Sequence, residues 1–127
     1  MKIVDSFPYE VSVLENVLIP MEDGIRLAAR IWLPVDAGAS PVPAILELLP
    51  YRQADRMRER DEPMHGYLAG HGYASVRADL RGTGDSEGVL HDEYHRQEIE
   101  DALELIRWIR AQPWCSGNVG MMGISWG

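Results

Sequence analysis

Several features that would define other classes of protein are scarce in this chain of 127 residues. It has one cysteine, Cys115, so no internal disulfide can form, and the cytoplasm is the expected location. No apolar run approaches the roughly 18 residues that a membrane span needs. An acid, Asp5, follows the first few residues before the apolar stretch of a signal peptide could develop. We therefore predict neither a secretory leader nor a membrane partner.

Positive charge is also scarce, because 12 Lys and Arg residues face 20 Asp and Glu residues and the formal net charge is −8. A nucleic-acid partner needs a basic face that displaces counterions, so this class of function is excluded. The arginines within residues 52–60 are interspersed with acids, and we interpret them as a solvated loop or helix rather than an anion site. Hydrophobic residues make up 46%, which indicates a globular chain, and its length suits one domain, residues 1–127.

The first secondary structure that the sequence predicts is an antiparallel hairpin. Residues 10–21 are β-branched and apolar, Asp23 and Gly24 give a strong turn signal, and apolar residues alternate with arginine in residues 25–34. The connection that follows, residues 35–43, is too short to be a domain linker.

The remaining pattern predicts a parallel sheet. Short, nearly all-apolar runs are typical of strands that are buried on both faces, and a helix is predicted after each of the first two runs. The predicted strands are residues 44–50, 73–80 and 118–125, and the predicted helices are residues 62–69 and 93–111. The second helix carries an apolar face of Ile99, Ala102, Leu103, Ile106 and Ile109. The fold class is therefore α/β, with an antiparallel hairpin that leads into a parallel β-α-β-α-β sheet with helices on its faces.

Two segments match G-x-S-x-G, the turn that carries the nucleophile of α/β-hydrolases: "GISWG" at residues 123–127 and "GDSEG" at residues 84–88. That turn requires a buried strand which runs directly into the first glycine. Ser125 meets this requirement, whereas Ser86 is separated from the preceding strand and has an acid on either side. Two carboxylates beside an attacking serine would oppose the oxyanion that forms. We predict that Ser125 is the nucleophile and that Ser86 is a loop or capping serine.

The glycines of "RGTGDSEG" also suggest a dinucleotide-binding turn, but their spacing is G-x-G-x-x-x-G and the carboxylates would repel a pyrophosphate. We therefore expect no cofactor. No cluster of histidines and carboxylates has the spacing of metal ligands, and we expect no metal.

Acyl transfer needs two hydrogen-bond donors that point at the developing oxyanion. The backbone N–H of Trp126, the residue after the nucleophile, supplies one of them. The loop after the first parallel strand has no HGGG stretch and begins "LPYRQAD". The hydroxyl of Tyr51 is the candidate for the second donor, and a backbone N–H of residues 51–54 is the alternative.

The segments "IPMEDGIRLAARIWLP", "LPYRQAD", "RADLRGTGDSEG" and "QPWCSGNVGMMGISWG" occur in this order. Together they resemble the cocaine esterase / Xaa-Pro dipeptidyl-peptidase family of α/β-hydrolases. The resemblance implies that the tyrosine at Tyr51 supplies an oxyanion hydroxyl. It also implies several hundred further residues, which include a helical cap and a C-terminal β-sandwich. Many members of the family have tyrosine where this chain has Trp126, and we expect this change to affect acyl-group selectivity more than chemistry.

None of the histidines is predicted to be the catalytic base, because the histidine of an α/β-hydrolase follows the nucleophile and all four precede Ser125. They are His65, His71, His91 and His95. We interpret Trp108 and Trp114 as packing residues. Asp79 and Arg81 are expected to pair locally.

The expected reaction is attack of Ser125 on an ester or amide carbonyl, with an acyl-enzyme that is then hydrolysed. The substrate is a small ester, an acylated amine or a peptide. Residues 1–127 are expected to be an N-terminal fragment, inactive alone because the triad Asp and His lie beyond them. The alternative is a truncated non-catalytic product, or a binding module that keeps the hydrolase fold.

Overall fold

The computed structural model describes residues 9–49, 57–79, 86 and 96–122. Within them, five strands and two α-helices follow one another along the chain, with a short 3₁₀ helix, Val35–Gly38, between the second and third strands. The elements are β1 (Val11–Pro20), β2 (Arg26–Pro34), β3 (Val42–Leu49), α1 (Met57–Gly70), β4 (Ala74–Asp79), α2 (Arg96–Arg110) and β5 (Cys115–Met122).

All five strands belong to one sheet with the order β1-β2-β4-β3-β5. The pairs β1/β2 and β2/β4 are antiparallel, whereas β4/β3 and β3/β5 are parallel. The predicted fold class is confirmed: the hairpin joins the parallel part of the sheet because β2 lies beside β4.

The hairpin turns at the predicted Asp23–Gly24 pair. Gly24 has a φ of +88°, a conformation that glycine adopts without steric cost, and the backbone N–H of Ile25 donates to Asp23 Oδ1 at 3.0 Å. In β1 the pairing register shifts between Leu14 and Val17, and Asn16 between them has a φ of 57°. Such a bulge bends a strand at the edge of a sheet and makes it a poorer template for another chain.

The two faces of the sheet differ in chemistry. Alternate residues of a strand point to opposite faces, and all six residues of β4 are buried. One face, called the apolar face below, carries Ala74, Val76 and Ala78 and packs under Leu105 and Ile109 of α2. The other, called the polar face, carries Ser75, Arg77 and Asp79 of β4 and lies under α1. Further buried members of the polar face are Arg30, Trp32, Glu47 and, from α1, His65.

Both helices differ from their predicted form. The first begins at Met57, earlier than residue 62, and Pro63 lies inside it. Among the described residues of α2 the fully buried apolar ones are Leu105 and Ile109, whereas Ile99 and Leu103 of the predicted face are 60% and 53% exposed. The reason is that the apolar sector of this helix is wider than the part that contacts the sheet. The predicted start of α2, residues 93–95, lies outside the described residues.

The last strand, β5, begins at Cys115, three residues before its predicted start. Its burial alternates instead of being continuous, because among the described strands it pairs only with β3 and lies at the edge of the sheet. The predicted end of this strand, residues 123–125, lies outside the described residues.

Candidate active site

The parallel strands β3, β4 and β5 all end at the same edge of the sheet, which is called the carboxyl edge below. In open α/β sheets, ligands bind outside the carboxyl ends of the strands. Tyr51 follows the end of β3 by two residues, and Ser125 follows the end of β5 by three. Both residues, and Trp126, lie outside the described residues, so their roles stay predictions.

The strands that lead to these two residues are direct neighbours. The β3/β5 register ends with Glu47 opposite Met122, the last residue of β5, and β3 continues for two more residues to Leu49. Paired strands lie about 4.8 Å apart. The two strands that precede Tyr51 and Ser125 in the sequence are therefore adjacent and parallel, and both end at the carboxyl edge.

Ser86, the other serine in a G-x-S-x-G match, has a hydroxyl that is engaged on both sides. It accepts a hydrogen bond from the backbone N–H of Ala28 at 2.9 Å and donates one to the carbonyl of Asp79 at 2.7 Å. The side chain therefore bridges the backbones of β2 and β4. This geometry agrees with the prediction of a loop serine, because a nucleophile needs a hydroxyl that donates to a base.

Asp79, at the end of β4, is an ion-pair partner within the sheet. The Arg77 guanidinium donates to Asp79 Oδ1 at 3.3 Å and to the carbonyl of Ala78 at 2.9 Å, and both charged side chains are fully buried. Asp79 therefore pairs within its own strand, with Arg77 as a partner, and its predicted pair with Arg81 stays a prediction. Arg81, the partner expected from the sequence, lies outside the described residues.

A buried hydrogen-bonded chain of three side chains occupies the polar face. His65 of α1 contacts Ser75 Oγ through Nδ1 and Glu47 Oε1 through Nε2, the latter at 3.0 Å. The imidazole also stacks on Trp32, with ring centroids 4.6 Å apart. When Glu47 is ionised, a neutral His65 that carries its proton on Nε2 satisfies both contacts, because Nδ1 then accepts from the Ser75 hydroxyl.

This Ser75–His65–Glu47 chain has the connectivity of a catalytic triad, but it cannot meet a substrate. The relative exposure of its members is 0%, 0% and 1%. Sequence reasoning identified His65 as non-catalytic but missed its two partners. The available signals were Glu47, a single charged residue in the otherwise apolar β3, and Ser75, one of the polar residues of β4. Nothing in the local sequence indicates that a helix supplies the partner of either residue.

The other described histidine, His71, follows the end of α1 on the surface. Its Nδ1–H donates to the carbonyl of Tyr67 at 2.8 Å, and its ring lies against that of Tyr67. It precedes β4 and so lies at the opposite end of that strand from the carboxyl edge. His91 and His95 lie outside the described residues. Neither His65 nor His71 is thus placed as the base of a site at the carboxyl edge.

The predicted packing roles of the two tryptophans agree with the structure. Trp114 is buried, and its ring meets that of Trp108 edge-to-face at a centroid distance of 6.4 Å. Both lie near the start of β5, away from the carboxyl edge.

A cavity of about 540 Å³ lies around the amino-terminal halves of β3 and β5. Its lining includes Pro43, Tyr73 and Gly117, which stand at or next to the amino ends of β3, β4 and β5, together with Ile106 and Arg110 of α2. It is therefore separate from the carboxyl edge, and its size alone does not make it the active site.

No helix in the described part of the chain is long and apolar enough to span a membrane. Within the same residues, no group of three or more His, Cys, Asp or Glu side chains is arranged to hold a metal ion. The expectations of no metal, no cofactor and a cytoplasmic location stay predictions.

Comparison with known proteins connects this geometry to a family of enzymes. The chain is 39% identical to cocaine esterase from Rhodococcus sp. (strain MB1 Bresler) over 116 residues, which cover 91% of this chain and 20% of that protein. It is 32% identical over 124 residues to a putative serine esterase from Mycobacterium tuberculosis, with 85% of this chain and 20% of that protein covered. The chain thus spans about a fifth of the length of these curated relatives.

A crystal structure of a CocE/NonD family hydrolase from Staphylococcus aureus superposes with a TM-score of 0.77 at 25% identity, over 90% of this chain and 23% of that one. An α-amino acid ester hydrolase superposes with a TM-score of 0.64 at 26% identity, over 95% of this chain and 22% of that one. The family model described as X-Pro dipeptidyl-peptidase (S15 family) matches residues 23–127. With that match across most of its length, and with the sheet order and strand directions described above, the chain belongs to the X-Pro dipeptidyl-peptidase (S15) family of α/β-hydrolases.

Proposed function

We propose that residues 1–127 form the N-terminal part of the catalytic domain of a serine hydrolase, and that Ser125 is its nucleophile. The observation that carries this proposal is the direct, parallel pairing of β3 and β5. Their continuations in sequence are the candidate oxyanion loop at Tyr51 and the "GISWG" turn at Ser125. The engagement of the Ser86 hydroxyl with Ala28 and Asp79 supports the same choice, because it removes the competing serine.

In the proposed reaction, Ser125 Oγ attacks an ester or amide carbonyl while a base takes its proton. The carbonyl oxygen becomes an oxyanion that accepts hydrogen bonds from the Trp126 N–H and the Tyr51 hydroxyl. Collapse expels the alcohol or amine, which takes a proton, and leaves an acyl group on Ser125. Water then hydrolyses this acyl-enzyme by the reverse use of the same groups. The base and its acid partner are proposed to lie beyond residue 127, and residues 1–127 alone are therefore expected to be inactive.

An ester is the proposed substrate class, ahead of an acylated amine or a peptide. The relatives above 30% identity are named as esterases. The relative named as a putative Xaa-Pro dipeptidyl-peptidase, from Bacillus anthracis, is 26% identical. A panel of matched p-nitrophenyl esters and Xaa-Pro p-nitroanilides distinguishes the two classes, and we expect kcat/KM to be higher for the esters.

The nucleophile is tested by labelling the protein that contains this chain with a fluorophosphonate probe and mapping the adduct. We expect the label on Ser125, loss of labelling and of ester hydrolysis in Ser125→Ala, and retention of labelling in Ser86→Ala. An adduct on Ser86 would show that the wrong serine was chosen. A folded protein that labels on neither serine would favour the alternative, a non-catalytic product or binding module with this fold.

The oxyanion role is tested by Tyr51→Phe, which removes only the hydroxyl. If that hydroxyl is one of two oxyanion donors, kcat should fall by about 10²–10³-fold, which corresponds to about 2.7–4 kcal/mol of transition-state stabilisation. KM should change much less, because the donor acts on charge that develops in the transition state. Equal melting temperatures serve as the folding control. A kcat within about threefold of the wild-type value would assign the second donor to a backbone N–H of residues 51–54.

A further inference from the structure

The hydroxyl of Ser86 stands where the next backbone hydrogen bond between β2 and β4 would lie. These strands pair from Trp32 opposite Ser75 to Ala29 opposite Ala78, so the next pair in register would be Ala28 opposite Asp79. Instead of a direct bond, the Ala28 N–H donates to Ser86 Oγ, and Ser86 Oγ–H donates to the Asp79 carbonyl. The side chain thus extends the ladder by one position, with its oxygen between the two backbones.

Few side chains can do this. The bridging atom must donate one hydrogen bond and accept another, and it must reach both backbones from a short stem, which only the hydroxyl of serine or threonine provides. Both contacts are partly buried. An alanine at this position would leave a backbone donor and a backbone acceptor to find water or to stay unpaired, which costs free energy.

The bridge lies at the functionally relevant end of the sheet. Asp79 is the last residue of β4, and β4 pairs in parallel with β3 up to Leu49, opposite Asp79 itself. The chain leaves β4 after Asp79 and is tied back to the same residue seven positions later, at Ser86. Ser86 therefore ties β2 and the end of β4 together at the carboxyl edge, next to the strand that leads to Tyr51.

We infer that Ser86 is a positioning residue for the hydrolase: its hydroxyl completes the β2–β4 ladder and thereby holds the end of β4, which pairs with the end of β3, in the place that acylation of the enzyme requires. The catalytic part of this inference rests on the proposed function. The structural part does not, because the Ala28 amide reports on the bridge whatever the protein catalyses.

The test uses the complete protein that contains this chain in four forms: wild type, Ser86→Ala, Ser86→Thr and, as a matched control, Ser40→Ala at an exposed serine. Two quantities are measured, the hydrogen-exchange rate of the Ala28 amide and the rate constant for acylation by a p-nitrophenyl ester. In Ser86→Ala we expect Ala28 exchange to become about tenfold faster and acylation about tenfold slower, with Ser125 still labelled by the probe. Ser86→Thr, which restores a hydroxyl, should recover both, and the control should change neither.

The inference is overturned if Ala28 exchanges at the wild-type rate in Ser86→Ala, or if that variant acylates at the wild-type rate. It is also overturned if threonine restores the protection of Ala28 without restoring acylation, because the bridge and the chemistry would then be independent. A wild-type protein that hydrolyses no ester contradicts the proposed function and with it the catalytic part of this inference. The exchange of Ala28 still decides, in that event, whether Ser86 forms the bridge.

Discussion

The two helices cover the same sheet in different ways. On the apolar face, α2 contributes Leu105 and Ile109 to a continuous hydrophobic core. On the polar face, the most deeply buried side chains among the described ones of α1 are His65 and the small Ala69. Helix α2 is held by removal of apolar surface from water, whereas the contact of α1 with the sheet depends on hydrogen bonds at the His65 imidazole.

This difference has a consequence for how each face tolerates change. The free energy gained from apolar burial is non-directional and roughly proportional to the buried area, so it decreases gradually as buried area is lost. A buried polar network is directional, and removing one member takes a hydrogen bond from each of its neighbours while they stay desolvated. Such a network can add little net stability and still be costly to break. The polar face is therefore expected to fix where α1 lies more strictly than the apolar face fixes α2.

The largest effect is expected from His65→Ala. The substitution removes both hydrogen bonds and the stacking on Trp32, and it leaves Glu47 and Ser75 buried without the imidazole. We expect the free energy of unfolding to fall by about 3–5 kcal/mol, from unsatisfied polar groups and a cavity together. Denaturant unfolding of the complete protein, combined with hydrogen exchange of β4 amides, measures it.

Two further variants separate the contribution of the His65 hydrogen bonds from that of ring packing. His65→Phe keeps a ring that can stack on Trp32 but has no nitrogen, so most of the loss should remain if hydrogen bonds dominate. His71→Ala changes an exposed histidine just after the same helix and should shift the free energy of unfolding by less than about 0.5 kcal/mol. A stable His65→Phe protein would mean that α1 is held by packing, and the contrast between the faces would fail.

A somewhat smaller loss is expected on the apolar face. Leu105→Ala removes a fully buried side chain and should lower the free energy of unfolding by about 3 kcal/mol, within the 2–5 kcal/mol known for such substitutions. Leu103→Ala, two residues earlier on the same helix, is the matched control because Leu103 is exposed. The measurement is the same denaturant unfolding. Equal losses for the two leucines would show that Leu103 is buried in the complete protein and that α2 has a second packed side.

These two leucines also show how far the sequence predicts the fold. The strand directions and the order of strands and helices follow from hydrophobic runs and turn residues, and the structure confirms them, although α1 begins earlier than predicted. Helical periodicity, however, identifies an apolar sector without showing which part of it faces the sheet. The predicted face therefore included Leu103 and omitted Leu105, since the choice depends on how α2 lies across β3 and β5.

The polar face was not predictable in the same way. A glutamate inside an apolar strand, such as Glu47, indicates a buried charge only when its partner is known, and that partner lies 18 residues away on a helix. For Ser86 the sequence was more informative. The acids on either side of it, and the absence of a strand that runs directly into its motif, argued against a nucleophile. For Ser125, Tyr51 and Trp126 the sequence and the ends of β3 and β5 point to the same edge, and their roles await the labelling and kinetic tests.

The smallest effect is expected where α2 meets the hairpin turn on the surface. The backbone N–H of Glu22 donates to Glu104 Oε1 at 2.7 Å, and the Arg107 guanidinium lies 3.5 Å from Glu22 Oε1. The charged partners Arg107 and Glu22 are 70% and 82% exposed, so water and salt screen their attraction.

Arg107→Ala should therefore lower the free energy of unfolding by about 0.5 kcal/mol or less, and this small difference should vanish in about 1 M salt. Denaturant midpoints of the two proteins at low and high salt measure it. The variant tests whether a third kind of contact, neither apolar burial nor a buried network, helps to place α2. A salt-insensitive loss above about 1 kcal/mol would mean that the Arg107 stem packs on its neighbours, and α2 would then depend on more than its apolar face.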